Sequence, residues 1–311
     1  MNFSPKSRRQ FLSQCGFAGA AALAISKPSL AAEPPARNGK CHMKLSLAAY
    51  SFNKFLPNRG TAEQLATAKM RLEDFIQFCA DQNLDGTELT SYYFPKEFSQ
   101  AYLIAIKEQT FRLGLDVSGT AIGNDFCKPA GEEWDKQIKS TREWIDHSAT
   151  MGAPVIRIFA GNVPKGETEA ASFERCVAGI NQSLEYAAEK GVFLALENHG
   201  GITGTAKQLL KIVKAVSPSP WFGVNLDGGN FYSDEPYAEL EQIAPYAINA
   251  QVKVAIMRDS TKKKEPADLG RVIEILRKAN YRGYVVLEYE EADPYREIPK
   301  VLTDLRKLIH G

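Results

Sequence analysis

The sequence predicts a (β/α)8 TIM barrel, in which eight parallel strands alternate with helices and close on themselves. Apolar runs of strand length recur eight times, and segments with helical spacing separate them. This alternation favours a closed barrel over an open doubly wound sheet. No predicted strand is followed by a GxGxxG motif, which would have supported the open sheet. The predicted strands cover residues 44–50, 84–89, 115–122, 155–160, 192–197, 221–227, 248–254 and 284–289.

The segments between the predicted strands carry apolar side chains at helical spacing. The pattern is clearest at residues 62–79 and 173–189. Five helix-to-strand corners each contain a Gly, which ends a helix in the left-handed conformation at little steric cost. These corners lie at residues 83–86, 113–115, 151–154, 190–192 and 281–284.

The chain begins, at residues 1–32, with the pattern of a twin-arginine signal peptide. Ser-Arg-Arg-Gln-Phe-Leu at 7–12 precedes a Gly/Ala-rich apolar stretch at 15–25. The pattern predicts export by the twin-arginine machinery to the periplasm, and the stretch is too short for stable membrane insertion. Residues 33–42 lack apolar periodicity and predict a linker before a barrel domain at 43–311.

Charge and cysteine content argue against several functional classes. Removing the leader takes away four basic residues and no acidic one, so 34 basic residues remain against 37 acidic ones and the net charge is near −3. Because the sequence has no basic stripe, we do not expect nucleic acid to be a partner. The remaining cysteines form no CxxC pair, which argues against a cysteine zinc site, and the sequence does not pair them in disulfides. They are Cys41, Cys79, Cys127 and Cys176.

Acidic residues end three predicted strands that are otherwise apolar. Glu197, Asp227 and Glu288 lie at the carboxyl ends of the fifth, sixth and eighth strands, where a TIM barrel carries its functional groups. Barrel strands are buried on both faces, so each acid must be paired, ligated or solvated. Arg157 and Lys253 cannot pair all three, which predicts a bound divalent metal ion.

Four segments of the chain resemble the xylose isomerase-like TIM barrel superfamily, the sugar phosphate isomerase/epimerase group. The resemblance covers residues 43–311. It is carried by Leu-Ala-Leu-Glu-Asn-His at 194–199, Val-Asn-Leu-Asp-Gly-Gly-Asn at 224–230, Gln-Val-Lys at 251–253 and Gly-Tyr-Val-Val-Leu-Glu at 283–288.

The resemblance implies a metal site formed by Glu197, Asp227, Gln251 and Glu288. Gln251 replaces the His of the family's usual His-x-Lys pattern. Its neutral amide oxygen suits Mn²⁺, Mg²⁺ or Co²⁺ and weakens the case for Zn²⁺. The replacement also leaves open that the metal is loosely held or absent.

The residues expected to contact substrate lie at or near strand ends. His199 either contacts a ligand or packs against the following loop, and Arg157 and Lys253 either hold a substrate oxyanion or balance the acids. Asn230 resembles the family position that binds a substrate hydroxyl. The expected set is Tyr50, Glu88, Arg157, His199, Asn230 and Lys253.

The resemblance implies a metal-dependent isomerase or epimerase of a sugar or keto-sugar. Glu197 and Glu288 would remove and return a proton through an enediolate. One alternative is a lyase or dehydratase acting on oxidised sugars or keto-glycosides, which export favours because sugar phosphates are scarce outside the cytoplasm. Another is a sugar-binding protein without turnover, which Gln251 keeps open. A homo-oligomer is one of the states that the sequence leaves open.

Overall fold

The structure, a computed structural model, describes residues 33–311, so the predicted signal peptide at 1–32 lies outside the described residues. The strands of the described part are β1 (His42–Ala48), β2 (Gly86–Thr90), β3 (Asp116–Ala121), β4 (Val155–Ile158), β5 (Phe193–Glu197), β6 (Phe222–Asp227), β7 (Ala247–Val252), β8 (Ala255–Met257), β9 (Lys264–Pro266) and β10 (Arg282–Leu287).

Eight of these strands form a closed parallel barrel in the order β1-β10-β7-β6-β5-β4-β3-β2. Each predicted strand overlaps one barrel strand, so the predicted (β/α)8 TIM barrel is confirmed. The first strand begins at His42, which the sequence analysis assigned to the linker. β8 and β9 pair antiparallel as a separate hairpin after β7, which the apolar pattern did not predict.

Helices alternate with the barrel strands. They are α1 (Ala62–Ala66), α2 (Leu72–Asp81), α3 (Gln100–Arg112), α4 (Glu132–Met151), α5 (Glu169–Lys190), α6 (Ala206–Ala215), α7 (Pro236–Ile243), α8 (Leu269–Lys278) and α9 (Pro294–His310). Short 3-10 turns lie at Ala49–Phe52, Ser91–Tyr93 and Ala244–Tyr246. No helix among residues 33–311 is both long and apolar enough to cross a membrane.

The helix expected at residues 62–79 is divided into α1 and α2. The chain leaves helical geometry after Ala66, and a new helix starts at Leu72. There Asp74 Oδ2 accepts a hydrogen bond from Arg71 N at 2.9 Å, which satisfies a main-chain donor at the start of α2. The capped start of α2 therefore divides a segment whose apolar spacing alone predicts one continuous helix.

Left-handed residues end several helices, but they are not always the glycines. Gly152 and Gly191 have φ of 81° and 70°, as their corners predict. At two other corners Asn83 and Asn280 take this conformation, with φ of 51° and 52°. The nearby Gly86 and Gly283 instead lie within β2 and β10. Asn tolerates the left-handed region better than most residues, so it can replace Gly there.

Residues 33–41, expected to belong to a linker, lie against the amino-terminal end of the barrel. Arg37 donates hydrogen bonds to four main-chain carbonyls, among them Ala247 at 2.7 Å. A cavity of about 440 Å³ opens there, with Phe193 and Ile248 in its mostly apolar lining. Because catalytic groups of TIM barrels lie at the opposite, carboxyl end, we assign this region a structural role.

Alternation along β6 and β7 places a row of polar side chains inside the barrel. In their register Asn225 pairs with Asn249 and Asp227 with Gln251, and each is at most 2% exposed. Successive strand residues point to opposite faces, so Leu226, between two of them, belongs instead to the hydrophobic core. The polar row leads up to the carboxyl end of the barrel.

Candidate active site

The carboxyl ends of the barrel strands bring together the acids that the sequence singled out. Glu197 and Asp227 are the last residues of β5 and β6, and Lys253 and Glu288 directly follow β7 and β10. Glu197 is 2% exposed, Asp227 0% and Glu288 7%. These carboxylates lie in a desolvated mouth, where burial and neighbouring charges control their proton affinities.

Glu197 is held by contacts to both of its carboxylate oxygens. Oε2 forms an ion pair with Arg157 Nε at 2.9 Å and accepts a hydrogen bond from Asn225 Nδ2 at 3.1 Å. Oε1 lies 2.7 Å from His199 Nδ1 and accepts a hydrogen bond from Asn230 Nδ2 at 2.9 Å. Glu197 thus brings three of the expected substrate-binding residues into one cluster.

Arg157 keeps Glu197 ionised. Burial acts to raise the pKa of Glu197, but the Arg157 charge and the His199 contact outweigh it and hold the pKa below the ordinary 4.5. Arg157 is itself fixed: Nη1 donates to Ile122 O at 2.7 Å, and its guanidinium carbon lies 3.9 Å from the centre of the Phe159 ring. The Phe159 ring packs in turn on His199, with centroids 4.1 Å apart. Arg157 therefore neutralises an acid in this arrangement.

Lys253 is the cation on the other side of the mouth. Its Nζ lies 2.8 Å from Glu290 Oε1, 3.2 Å from Glu288 Oε1 and 3.4 Å from Asp227 Oδ2. It also donates to Asn230 Oδ1 at 3.2 Å. One ammonium group therefore forms ion pairs with three carboxyl groups, so the acidic groups around Lys253 outnumber this cation.

Glu288 and Asp227 hold protons more tightly than exposed acids do. Burial raises the pKa of Glu288 well above 4.5; Lys253 opposes this shift, and the charges of Asp227 and Glu197 add to it. Burial likewise raises the pKa of Asp227 to about 6, against the effect of Lys253. The pKa values of Glu197 and Glu288 are thus displaced in opposite directions, a pattern that separates acid and base roles in active sites.

A hydrogen-bonded network of buried side chains lies below the mouth. Gln251 Nε2 donates to Glu88 Oε1 at 2.7 Å, and Gln251 Oε1 accepts from Asn225 Nδ2 at 2.7 Å. Asn249 Nδ2 donates to Asn225 Oδ1 at 2.8 Å and to Glu88 Oε2 at 3.4 Å. Both ends of the Gln251 amide are therefore engaged within the barrel. Glu88, an expected substrate contact, is 0% exposed and belongs to this network.

We expect Glu88→Gln to stabilise the protein at pH 8 but not at pH 5. Burial raises the pKa of Glu88 to about 7 from the ordinary 4.5, with Arg157 opposing the shift. The folded state therefore keeps a proton that the unfolded state loses, and stability falls as pH rises from about 4.5 to 7. The free energy of unfolding lost over this pH range is up to about 3 kcal/mol. The uncharged amide of the variant removes this loss.

Urea unfolding at pH 5 and pH 8 would measure this effect, with the exposed Glu108→Gln as the matched control. Other buried acids contribute to the pH dependence of both proteins, so the informative quantity is the difference between variant and wild type. If that difference is the same at both pH values, Glu88 does not hold its proton in the folded state.

Tyr50 and His199 are more accessible than the buried acids. Tyr50 is half-buried, and burial raises its pKa, with the charges of Glu290 and Glu288 adding to the shift. The His199 side chain is 50% exposed while its Nδ1 contacts Glu197. Both residues therefore present an accessible ring near a buried carboxylate, and their role as substrate contacts stays a prediction.

Phe159, Asn225 and Asn249 belong to the site although the sequence analysis did not single them out. Asn225 lies two residues before Asp227, and Asn249 two residues before Gln251. Polar residues at a period of two in apolar strands indicate a row facing the barrel interior, and this signal could have found both asparagines. No such periodicity identifies Phe159.

The charge of the site fits a bound cation. Asp227 Oδ2 is buried and accepts no hydrogen bond, and the acids of the mouth and network outnumber the cations. Within residues 33–311, however, no three His, Cys, Asp or Glu side chains are arranged to hold a metal ion, and Gln251 is turned into the network. Asp227 and Glu288, which share Lys253 as their counter-cation, are the donors that fit best.

Comparisons with known proteins agree with the barrel and its family features. A family model described as xylose isomerase-like TIM barrel matches residues 74–305. No curated protein matches the chain in sequence.

Several solved structures share the fold. A D-tagatose 3-epimerase-like protein has a TM-score of 0.68 at 15% identity, over 86% of this chain and 98% of that one. The 3-keto-D-glucoside 4-epimerase of E. coli has a TM-score of 0.65 at 16% identity, over 85% and 99% of the two chains. The probable 3-DHS dehydratase of Bacillus anthracis has a TM-score of 0.63 at 16% identity, over 86% and 99%. At these identities the likeness shows the fold alone.

Proposed function

Because the chain belongs to the xylose isomerase-like TIM barrel family, we propose that it is an isomerase or epimerase of a sugar or keto-sugar. The observation that carries the proposal is the pair Glu197 and Glu288. They end β5 and follow β10, strands separated in the barrel by β6 and β7, and their pKa values are shifted in opposite directions. Proton transfer at two faces of one substrate needs two such groups.

The proposed reaction begins with removal of a proton from the carbon next to the substrate carbonyl. Glu288 suits this step, because a carboxylate with a raised pKa is a stronger base once ionised. The C–H electron pair moves into the carbonyl, which gives an enediolate. A proton then returns to the opposite face of the same carbon in an epimerase, or to the former carbonyl carbon in an isomerase.

Glu197, which Arg157 keeps ionised, would return a proton only after receiving one. His199 Nδ1 lies 2.7 Å from Glu197 Oε1 and its ring is accessible, so His199 would pass a proton from the mouth to Glu197, which then donates it to the substrate carbon. Lys253 Nζ and Asn230 Nδ2 lie between Glu197 and Glu288 and are placed to bind the negative oxygen of the enediolate.

We also propose metal dependence, as the family resemblance implies. A divalent ion, Mn²⁺, Mg²⁺ or Co²⁺, would be held by Asp227 and Glu288. Glu197 and Gln251 complete the predicted set, and Gln251 would have to leave its hydrogen bonds with Glu88 and Asn225 to join it. The ion would polarise the substrate carbonyl as a Lewis acid. Two features support this proposal: the buried Asp227 Oδ2 accepts no hydrogen bond and has only the ion pair with Lys253 at 3.4 Å, and carboxyl groups outnumber cations in the mouth.

Two features support a sugar-like substrate. Two structural neighbours are named as epimerases of a ketose or a keto-glucoside. The mouth also offers the half-buried Tyr50 and the 55% exposed Tyr232, whose rings can pack on the apolar face of a sugar.

A screen of free sugars and keto-sugars in D2O, with Mn²⁺ added and products read by NMR, tests the function. An isomerase or epimerase should incorporate deuterium at the carbon next to the carbonyl. A dehydratase or lyase passes through the same enediolate but would release water or an alcohol instead, as the name of the third neighbour suggests for that protein. Sugar binding without any turnover would favour a binding protein and contradict the proposal.

We expect metal to be retained by the wild-type protein and lost in Asp227→Asn. The amide keeps one oxygen but removes a negative charge from a site where attraction to a divalent ion dominates. Elemental analysis of protein purified without chelator measures the metal, and the exposed Asp259→Asn serves as control. Equal metal content in Asp227→Asn and wild type would place the metal elsewhere.

We further propose that the protein is exported by the twin-arginine pathway. Arg8→Lys with Arg9→Lys should leave the precursor in the cytoplasm, because the paired guanidinium groups are what the receptor reads. Cell fractionation measures this, with Lys6→Arg as a change of equal charge outside the pair. Mature protein of the double variant in the periplasm would contradict export by this route.

A further inference from the structure

Two buried cysteines lie where the loop after β3 packs on α5. Cys127 lies in the loop between β3 and α4, Cys176 lies in α5, and both are 0% exposed. Cys127 Sγ is 3.8 Å from the carbonyl oxygen of Ser172, which lies one helical turn before Cys176. The neighbouring Cys127 thiol and burial raise the pKa of the Cys176 thiol well above its ordinary 9.0. The Cys127 thiol therefore lies against the turn of α5 that carries Cys176.

The side chain of Arg175 holds the loop on the helix at the same point. Arg175, next to Cys176, donates to the carbonyl oxygen of Cys127 from Nη2 at 2.8 Å and from Nε at 3.2 Å. A Cβ at Gly179, one turn further along α5, would lie 2.8 Å from the ring of Phe126. The missing side chain lets the loop approach the helix closely, so the contact between the cysteines is fixed by packing on both sides.

We propose that Cys127 and Cys176 form a disulfide when the protein meets an oxidising disulfide donor. The two thiols lose two protons and two electrons as the S–S bond forms, and the disulfide of the donor is reduced to two thiols. Oxidised glutathione or an oxidase of the cell envelope belongs to this chemical class. The other buried cysteine, Cys79, hydrogen-bonds to Thr87, which lies in β2 on another part of the barrel.

The bond would fix the β3 loop to α5, and this loop contacts the active site. Asn124, three residues before Cys127, donates to Phe159 O at 2.8 Å and accepts from Phe159 N at 2.9 Å. Phe159 packs between Arg157 and His199. A covalent link at Cys127 therefore fixes the loop that positions this ring.

The test is to refold the full chain with oxidised glutathione and to map its peptides without reduction. The expected result is a peptide pair joined through Cys127 and Cys176, about 2 Da lighter than the two reduced peptides together, and two fewer thiols by titration in denaturant. Cys79→Ala should still lose two thiols, whereas Cys176→Ala should lose none. Gly179→Ala, which pushes Phe126 away from α5, should form the bond more slowly.

Wild-type protein that keeps all of its thiols after refolding would overturn the proposal, as would a disulfide that joins either residue to another cysteine. Because peptide mapping is done on the wild type, this conclusion does not depend on whether any variant folds.

Discussion

Glu288→Gln is expected to lower turnover of the true substrate by about a hundredfold or more while substrate binding changes little. The amide is isosteric and keeps one oxygen toward Lys253, which lies 3.2 Å from Glu288 Oε1. It cannot accept the proton that the proposed reaction transfers. Deuterium incorporation from D2O measures that transfer directly, and calorimetric titration measures binding.

The control for this variant is Glu291→Gln, the same chemical change three residues further along. Glu291 forms an ion pair with Lys264 at the surface, outside the cluster around Lys253. Its turnover should match the wild type. Rapid deuterium exchange in Glu288→Gln would transfer the base role to Glu197.

Arg157→Met is expected to destabilise the protein by about 3–5 kcal/mol, because it leaves the buried Glu197 carboxylate without its counter-charge. The Arg157 side chain is 6% exposed and that of Glu197 3%, so water cannot replace the lost partner. The asparagines and His199 still donate to Glu197 but supply no fixed charge. Urea unfolding at pH 8, where Glu197 is ionised, measures the loss.

The double variant Arg157→Met with Glu197→Gln distinguishes charge from packing. If the cost arises from an unpaired carboxylate, removing that charge should recover most of the lost stability. A double variant as unstable as Arg157→Met alone would show instead that the contacts of the guanidinium with Phe159 and Ile122 O are what stabilise the fold.

The fold and the proximity of the three acids were predictable because both depend on local sequence patterns. Strand length, helical spacing and acids at strand ends recur in the sequence, and a parallel barrel gathers those ends at one edge. Glu197, Asp227 and Glu288 could therefore be placed together without any structural information.

The partners within the site were harder to predict because they depend on the direction of each side chain across the barrel. The family resemblance implies that Gln251 is a metal ligand, and the sequence predicts that Glu88 contacts substrate. In the structure these two side chains are hydrogen-bonded to each other at 2.7 Å below the mouth. Phe159 follows β4 with no periodic signal, and its role depends on Arg157 and His199, which reach it from two different strands.

Closure of the barrel has a consequence for biosynthesis. β1 pairs with β10 over six residues, from His42 with Arg282 to Leu47 with Leu287. Until β10 has been made and has left the ribosome, β1 and β7 present unpaired edges, which favour aggregation. We infer that the nascent chain cannot close its barrel before that point, so that a chaperone protecting these edges would raise the yield of folded protein.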